Sequence, residues 1–562
     1  MCGIICEICY KVITPPNEKT LQRIAKRGPD CIQHSEYVLR DEIKAYFSAS
    51  VLWMQGLQIT LQPVENDYGI LLYNGDIFNE CWSKCVSDTQ IIMDKLTESM
   101  INLSEDKLLK ELKTLKGPFC IVYFHKSTCN LYFMRDRIGR SSLLFHLNQN
   151  YLVISSILDR TYECIEVPAT SIHKLNIASK NITLYPWSDG PTEEYSLIDW
   201  LTRQQNRQSL VDDKFTYICD ETYDLDDDTN VVDYIQTTAQ DNNCKEMILH
   251  KLMNNATIRN TVHETIDLLE KSVKIRLETQ PNKCQGCLHS NVEHCDHSTV
   301  GILFSGGLDC TILAVLADKY TSKTQSIDLI NVAFKRDNNI TSYDVPDRIT
   351  GRQSHEELKK LCPTRKWVFR EVNVPKEELE DYQKSTIADL VHPRQTILDE
   401  SLGTAFWFAA RGKDQFSTSP SRVLLVGSGA DELFGGYIRH RNAYRRQGWP
   451  GLNRELDLDW KRISFRNLAR DNRVICDHGR QPRLPYLDEN FTNFVLGLKP
   501  WLKCFPSDAL GPGIGDKLML RLVALNLGLS EVVTFPKRAL QFGSRIANKK
   551  EKGSDISEKF RN

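Results

Sequence analysis

One stretch of the chain stands out by its pattern of apolar and polar positions. Val300 to Phe304 is a short unbroken apolar run, as a strand buried on both faces would be. Ser305-Gly306-Gly307 interrupts it, and from Asp309 the pattern turns helical, with Ile312, Leu313, Val315 and Leu316 forming an apolar stripe that continues to Tyr320. Leu424 to Tyr437, reading LLVGSGADELFGGY, repeats the order of apolar run, glycine turn and carboxylates. Ile330–Phe334, Trp367–Val372 and Val423–Val426 read as further strands. The two glycine turns, about 120 residues apart, are therefore expected to meet at the carboxyl edge of one parallel sheet.

Before residue 190 the pattern is different. FCIVYF (119–124), LYFMRDRIGRSSLLF (131–145) and YLVISS (151–156) predict a succession of strands. Ser87 and Gln90 form an S-x-x-Q capping box that opens a helix, with Ile92, Leu96 and Met100 on one face. From 191 to 255 the periodicity fades. CDETYDLDDDTN (219–230) is acidic and TTAQDNN (237–243) polar, so this region reads as a linker or surface insertion. A helix resumes near Ala256, with Ile266, Leu269, Val273 and Ile275 apolar. The tail 546–562 is charged, has few large apolar residues and is expected to be disordered.

Length and composition narrow the possibilities. A chain of 562 residues is long enough for two to four domains. Its net charge of −2 offers no basic field for nucleic acid, and no run of 18 apolar residues exists to span a membrane. MCGIICEICY lacks the n-region and long apolar core of a signal peptide. Eighteen cysteines scattered through core-like segments, without a secretory signal, suggest reduced thiols and a cytoplasmic protein. Nothing in the sequence reads out an oligomeric state.

The chemistry follows from the turns. Strand, glycine turn and helix start is how an α/β fold holds phosphate, because glycine lets the backbone approach and free amides aim positive charge at the anion. Ser305 can add a donor, and Asp309 suits a magnesium ion that bridges phosphate oxygens. The SGGLD segment resembles the PP-loop of ATP pyrophosphatases, which split ATP into AMP and pyrophosphate. Asp431 and Glu432 are placed for a second magnesium or pyrophosphate contact. At the other end, trimming of Met1 would expose Cys2, whose thiol is a nucleophile and whose own α-amine is a base. CQGCLHSNVEHCDH gives a third cluster. Cys284, Cys287, Cys295 and His297 are spaced C-x2-C-x7-C-x-H, with His289 and His294 as spares, and are candidate ligands for structural zinc.

Cys2, RGPD (27–30), YNGD (73–76), Ser87-Asp88 and Gly117-Pro118-Phe119 occur in the order seen in class II glutamine amidotransferases, and the segment resembles the glutaminase domain of asparagine synthetase. From 256 to 545 the chain resembles the synthetase domain of that family. VPDR (345–348) resembles its divergent branch of asparagine synthetase domain-containing proteins. The resemblance implies an α/β protein: an N-terminal nucleophile αββα sandwich (1–190), an acidic insertion (191–255), a doubly wound PP-loop domain (256–545) and a tail (546–562).

The resemblance also implies roles. Cys2 would attack the glutamine amide, Asn74 and Gly75 would form the oxyanion hole, and Asp88, Asp76 and Gln55 would bind glutamine. Leu303, Ser305, Gly306, Gly307, Asp309, Cys310, Thr311, Val332, Val426, Gly427 and Asp431 would bind ATP and pyrophosphate, with magnesium on Asp309 and Asp431. Lys517 would stabilise charge in the transition state. Glutamine, aspartate and ATP would be the substrates, and the family supplies no zinc. Five positions depart from its pattern, Cys310 and Thr311 replacing two serines and three more bearing on the substrates. Gln55 stands where an Arg pairs with the glutamine carboxylate, Ser428 where a Glu follows the second strand, and Gln481 replaces a Glu in HGRQPRLPYLD. The sequence thus supports a glutamine-hydrolysing asparagine synthetase. The departures leave open a pseudo-synthetase with a binding role, or a ligase for another carboxylate.

Overall fold

The computed structural model describes the 562 residues except 1, 11–16, 41–42, 102–103, 189, 210–228, 241–243, 291, 293–294, 336–341, 512, 548–550 and 561–562. The N-terminal part is built on two antiparallel sheets. Six strands run in the order Cys164–Glu166, Leu144–Leu147, Tyr151–Ser155, Gly3–Cys9, Ile43–Val51 and Cys31–Arg40. Seven run in the order Glu193–Ser196, Asn181–Pro186, Ser171–Asn176, Asn130–Arg135, Phe119–His125, Gly69–Gly75 and Val64–Glu65.

Alternation along each strand decides what lies between and outside the sheets. Ile4, Cys6 and Ile8 of the first sheet pack with Ile70, Leu72, Val122 and Phe124 of the second. The alternate residues Leu71, Tyr73, Ile121 and Tyr123 face the helices Asp88–Ile101 and Glu105–Lys113. On the far side Ile5 joins Ile24 of the helix Glu18–Arg27. The result is the αββα sandwich. The predicted capping box is half made. Ser87 Oγ accepts from Gln90 N at 3.2 Å, but the Gln90 side chain turns to Asp94 instead of reaching back.

The second part is a five-stranded parallel sheet, ordered Trp367–Val374, Ile327–Phe334, Val300–Leu303, Val423–Leu425, Gln481–Arg483. From Val300–Leu303 the chain steps outward twice in one direction, then returns to add the last two strands on the other side. The reversal puts a crevice between the carboxyl ends of Val300–Leu303 and Val423–Leu425, where α/β folds bind ligands. The three inner strands are mostly apolar and buried, as packing between two helical layers requires, while the two outer strands carry polar residues.

Residues between 191 and 255 are more than a linker. The helix Leu197–Ser209 buries Trp200 in the sandwich core, against Phe133 and Phe145. The helices Thr229–Gln240 and Lys245–Leu252 put Val231, Ile235, Leu249 and Leu252 into the core of the parallel-sheet part. The acidic run up to 228 lies outside the described residues. The expectation of a disordered tail is corrected for residues 551–560. Ile556 bridges Thr396, Phe560 is buried, and Lys559 Nζ sits 2.8 Å from Glu400. One backbone bridge, one buried aromatic ring and one paired cation are enough to hold a segment whose composition alone reads as solvated.

The two parts share buried polar contacts. Arg23, Arg160 and Lys19 converge on Asp389, each within 2.9 Å. Arg473 meets Glu166 at 3.2 Å, and Arg422 meets Asp30 at 2.7 Å. Arg140 holds Glu489, which also accepts from Gly117 N at 2.8 Å. Leu52, Met54 and Ile138 from the sandwich side belong to the same apolar cluster as the parallel-sheet core.

Candidate functional site

Cys2 precedes the first strand and is 7 % exposed. Burial pushes its thiol above the ordinary range, against the pull of positive charge at the chain start. Gln62 Nε2 lies 3.8 Å from its sulfur, while Gln62 Oε1 accepts from Tyr73 N at 2.7 Å. Gln62 therefore links the nucleophile to the strand that carries Asn74 and Gly75. No sequence motif singled it out, because one glutamine between Leu61 and Pro63 has no pattern to read.

Asn74 is fully buried and its Nδ2 donates to Cys120 Sγ at 3.5 Å. A thiol is a weak acceptor, so this donor can be redirected to an oxyanion. Asp88 starts its helix. Its carboxylate accepts from Tyr73 Oη at 2.7 Å, Ile77 N at 3.2 Å and Thr89 N at 2.9 Å. Burial, then the charge of Asp76, raises its carboxyl to about 6.

Asp76 and Gln55, expected at the glutamine site, bond to each other. Asp76 is fully buried against Arg483 Nε at 2.7 Å, and Gln55 Nε2 donates to Asp76 Oδ1 at 2.5 Å and to Ile77 O at 3.1 Å. Asp76 thus makes a contact between the two parts, and Gln55 supports it from within the sandwich. Local pattern cannot reveal the Asp76–Arg483 pair, since the two residues are 407 positions apart.

At the parallel sheet, the helix Leu308–Tyr320 starts at Gly307 with no side-chain cap, so its first amides are open to a ligand. Gly306 has φ +76°, and a Cβ there would fall 2.4 Å from the backbone of Gly351. The second turn packs against the first: a Cβ on Gly427 would lie 3.1 Å from Cβ of Asp309. The two predicted turns therefore meet. Between them lies a cavity of about 410 Å³ whose lining includes Leu303, Ser305, Asp309, Val332, Val426 and Asp431. Gly307, Cys310, Gly427 and Ser428 line it as well. Thr311 is fully buried and donates its hydroxyl to Gly307 O at 2.8 Å, and the Cys310 thiol points to the same carbonyl at 3.2 Å. Gln481 is buried in the last strand of the sheet.

Lys517 sits in the left-handed region, φ 52°, at the start of the helix Leu518–Asn526. Its ammonium lies 2.5 Å from Asp309 Oδ2 and 2.7 Å from Asp431 Oδ1. Lys537, within PKRALQFGSR (536–545) and assigned no role from the sequence, reaches Asp431 Oδ2 at 2.8 Å. Burial opposes charge on all these groups, but mutual attraction dominates for two of them. It holds Asp431 below the usual carboxylate range and Lys517 above its own. Burial prevails at Asp309, which is raised. Asp309 Oδ1 is buried with no hydrogen-bond partner among the described residues. Such an oxygen beside a phosphate-binding turn suits a hard divalent cation, so the donor set fits magnesium.

Asp347, from VPDR, also faces the cavity. Burial raises its carboxyl to about 7, and its Oδ2 has no partner among the described residues. Glu432 lines the same space, accepts from Tyr437 Oη at 2.7 Å and is raised by burial and by Asp431. Among the described residues no helix is long and apolar enough to cross a membrane.

Comparison with known proteins places both halves. Residues 1–180 match the glutamine amidotransferase domain and residues 293–552 the asparagine synthase domain. An asparagine synthetase domain-containing protein of Drosophila melanogaster is 38% identical, with 99% of this chain and 100% of that one covered. Asparagine synthetase domain-containing protein 1 of Homo sapiens is 32% identical over 99% of this chain and 97% of its own. A Saccharomyces cerevisiae protein of the same description is 27% identical over 95% and 90%. With a nucleophile-bearing sandwich joined to a PP-loop sheet, the chain belongs to the asparagine synthetase domain-containing proteins, an asparagine synthetase-like glutamine amidotransferase family.

Proposed function

We propose that the protein is a glutamine-dependent asparagine synthetase. The observation that carries this is the cavity at the sheet's switch point, where an uncapped helix start, two aspartates and two lysines converge.

In this reading Cys2 Sγ, its proton taken by the α-amine exposed when Met1 is removed, attacks the glutamine side-chain carbonyl. Asn74 Nδ2 and the Gly75 amide hold the oxyanion. Collapse releases ammonia and leaves a thioester that water hydrolyses to glutamate, while Asp88 pairs with the substrate's α-ammonium. In the cavity, the amides after Gly307 and the Ser305 hydroxyl cradle the phosphates of ATP. Asp309 and Asp431 would hold magnesium, which neutralises charge on departing pyrophosphate. The β-carboxylate of aspartate attacks the α-phosphorus, giving β-aspartyl-AMP. Lys517 and Lys537 balance the charge that builds up. Ammonia then displaces AMP to give asparagine. The apolar seam of Leu52, Met54 and Ile138 supports transfer of neutral ammonia between the parts.

The departures bear on the acceptor. Ser428, which lines the cavity, supplies a hydroxyl in place of a carboxylate, so a different carboxylate substrate is the second reading. Domain limits of 1–190 and 256–545 are proposed for the two activities, in the cytoplasm. The test is amide formation from aspartate and ATP by protein lacking Met1, with glutamine or ammonium as the nitrogen source. Asparagine from both sources, with only the glutamine reaction lost in Cys2→Ala, is expected. No asparagine from either source overturns the reading.

A further inference from the structure

The segment between the helix Ala256–Glu278 and the strand Val300–Leu303 belongs to neither site, yet four of its described side chains converge. His297 Nδ1 lies 3.7 Å from Cys284 Sγ, 3.5 Å from Cys287 Sγ and 3.5 Å from Cys295 Sγ. The four ligand atoms are all within 4.8 Å of one another. Metal–sulfur bonds of about 2.3 Å and a metal–nitrogen bond of about 2.0–2.1 Å make a tetrahedron with S···N edges of about 3.6 Å. The three measured edges scatter around that value. A hydrogen-bonded cluster has no reason to aim three thiols at one ring nitrogen, which can serve one of them as acceptor at a time. A single ion satisfies all four.

The loop also has an anchoring position. Gln285 N donates to Pro420 O at 2.9 Å, and Gln325 Nε2 donates to Cys295 O at 3.1 Å, tying the loop to the sheet on both sides. His289 Nε2 lies 3.2 Å from Asp30 Oδ1. Asp30 in turn holds Arg422 at 2.7 Å and accepts from Trp53 N at 2.7 Å. Asp30 is three residues from Arg27, whose Nε reaches Cys2 O at 3.4 Å.

We propose that Cys284, Cys287, Cys295 and His297 bind one zinc ion through three thiolates and Nδ1, and that the ion pins the loop before Val300 onto the Asp30 turn behind Cys2. Three thiolates and one imidazole with no open position make a closed, structural site rather than a catalytic one. Cys284 and Cys295 are buried, while His297 is exposed, so the ion closes the loop from its surface side. Binding three thiolates releases their protons.

The test uses full-length protein purified without chelator. Mass spectrometry of the metals is expected to find about one zinc per chain, and cobalt substitution to give the intense visible bands of a tetrahedral thiolate site. Cys284→Ser with Cys287→Ser is expected to lose the ion. Because that variant could fail to fold, His297→Ala at the exposed ligand is measured too, with at least a tenfold weaker zinc affinity in chelator competition. His297→Cys, which offers four thiolates, is expected to keep one zinc. Hydrogen exchange after zinc removal is expected to rise at residues 284–297 and at 28–32. A Cys284–Cys287 disulfide, an iron–sulfur absorbance, or zinc content unchanged in both ligand variants would overturn the site. Zinc loss with exchange at 28–32 unchanged would overturn the pinning.

Discussion

Arg483 Nε lies 2.7 Å from Asp76 Oδ2, and neither side chain reaches solvent. Arg483 ends the last strand of the parallel sheet, and Asp76 follows the Asn74-Gly75 pair of the sandwich. One ion pair thus joins the frames of the two sites. Arg483 also donates to the carbonyls of Arg276 and Thr279, which fix its guanidinium from its own side of the interface.

Removing one partner of a buried pair leaves the other charge stranded, at about 3–5 kcal/mol. Arg483→Met is therefore expected to lower unfolding free energy by that order, measured by urea denaturation. Arg483→Met with Asp76→Asn is expected to recover part of the loss. Equal stability of Arg483→Met and the natural chain would show that the pair is dispensable.

Lys517 holds together two carboxylates that are each partly buried. Lys517→Met is expected to lower turnover of amide formation by about 100-fold or more, as loss of a preorganised electrostatic group does. ATP affinity, read by equilibrium dialysis, should change far less. A matched loss in affinity and turnover would assign Lys517 to ground-state binding.

Asp88 titrates at about 6 in the folded protein, above the ordinary carboxyl value of about 3.9. The folded state therefore holds this proton more tightly, and stability from this group falls as pH rises from about 4 to 6. Binding of the glutamine ammonium needs the ionised form. KM for glutamine is thus expected to rise as pH drops through about 6, with the ammonium-dependent reaction lacking that step. A pH-independent KM across that window would remove Asp88 from glutamine recognition.

Asp347 follows the same sign. Its carboxyl at about 7 means that stability is lost as pH rises from about 4 to 7, because a buried group with an unpartnered oxygen must ionise. Asp347→Asn is expected to raise unfolding free energy at pH 8 by on the order of 1 kcal/mol or more while reducing ATP-dependent turnover. Thermal melts at pH 5 and pH 8 separate the two: the gain should shrink at the lower pH.

What the sequence disclosed and what it hid divide along physical lines. The strand, turn and helix around Ser305-Gly306-Gly307, and its counterpart at Gly427, were readable because local pattern sets them. Their meeting followed from parallel topology. Asp88 was readable through its helix start. Lys537, Asp347 and Gln62 were not assigned roles, because each is brought in by tertiary packing and leaves no local periodicity. Asp76 and Gln55 were placed at the glutamine site by motif position, and what motif position could not show is that Gln55 donates to Asp76, which also meets a buried arginine from the other end of the chain. The helices within 197–252 were hidden by their polar faces, since only a few apolar residues, Trp200 and Ile235 among them, anchor each one.

The measurement that bears most directly on the proposed reaction is exchange of labelled pyrophosphate into ATP, with and without aspartate, glutamine and ammonium being absent. Exchange that depends on aspartate, persists in Cys2→Ala and is lost in Lys517→Met is the expected result. Bound ATP with no aspartate-dependent exchange would contradict activation of aspartate in the cavity between Asp309 and Asp431.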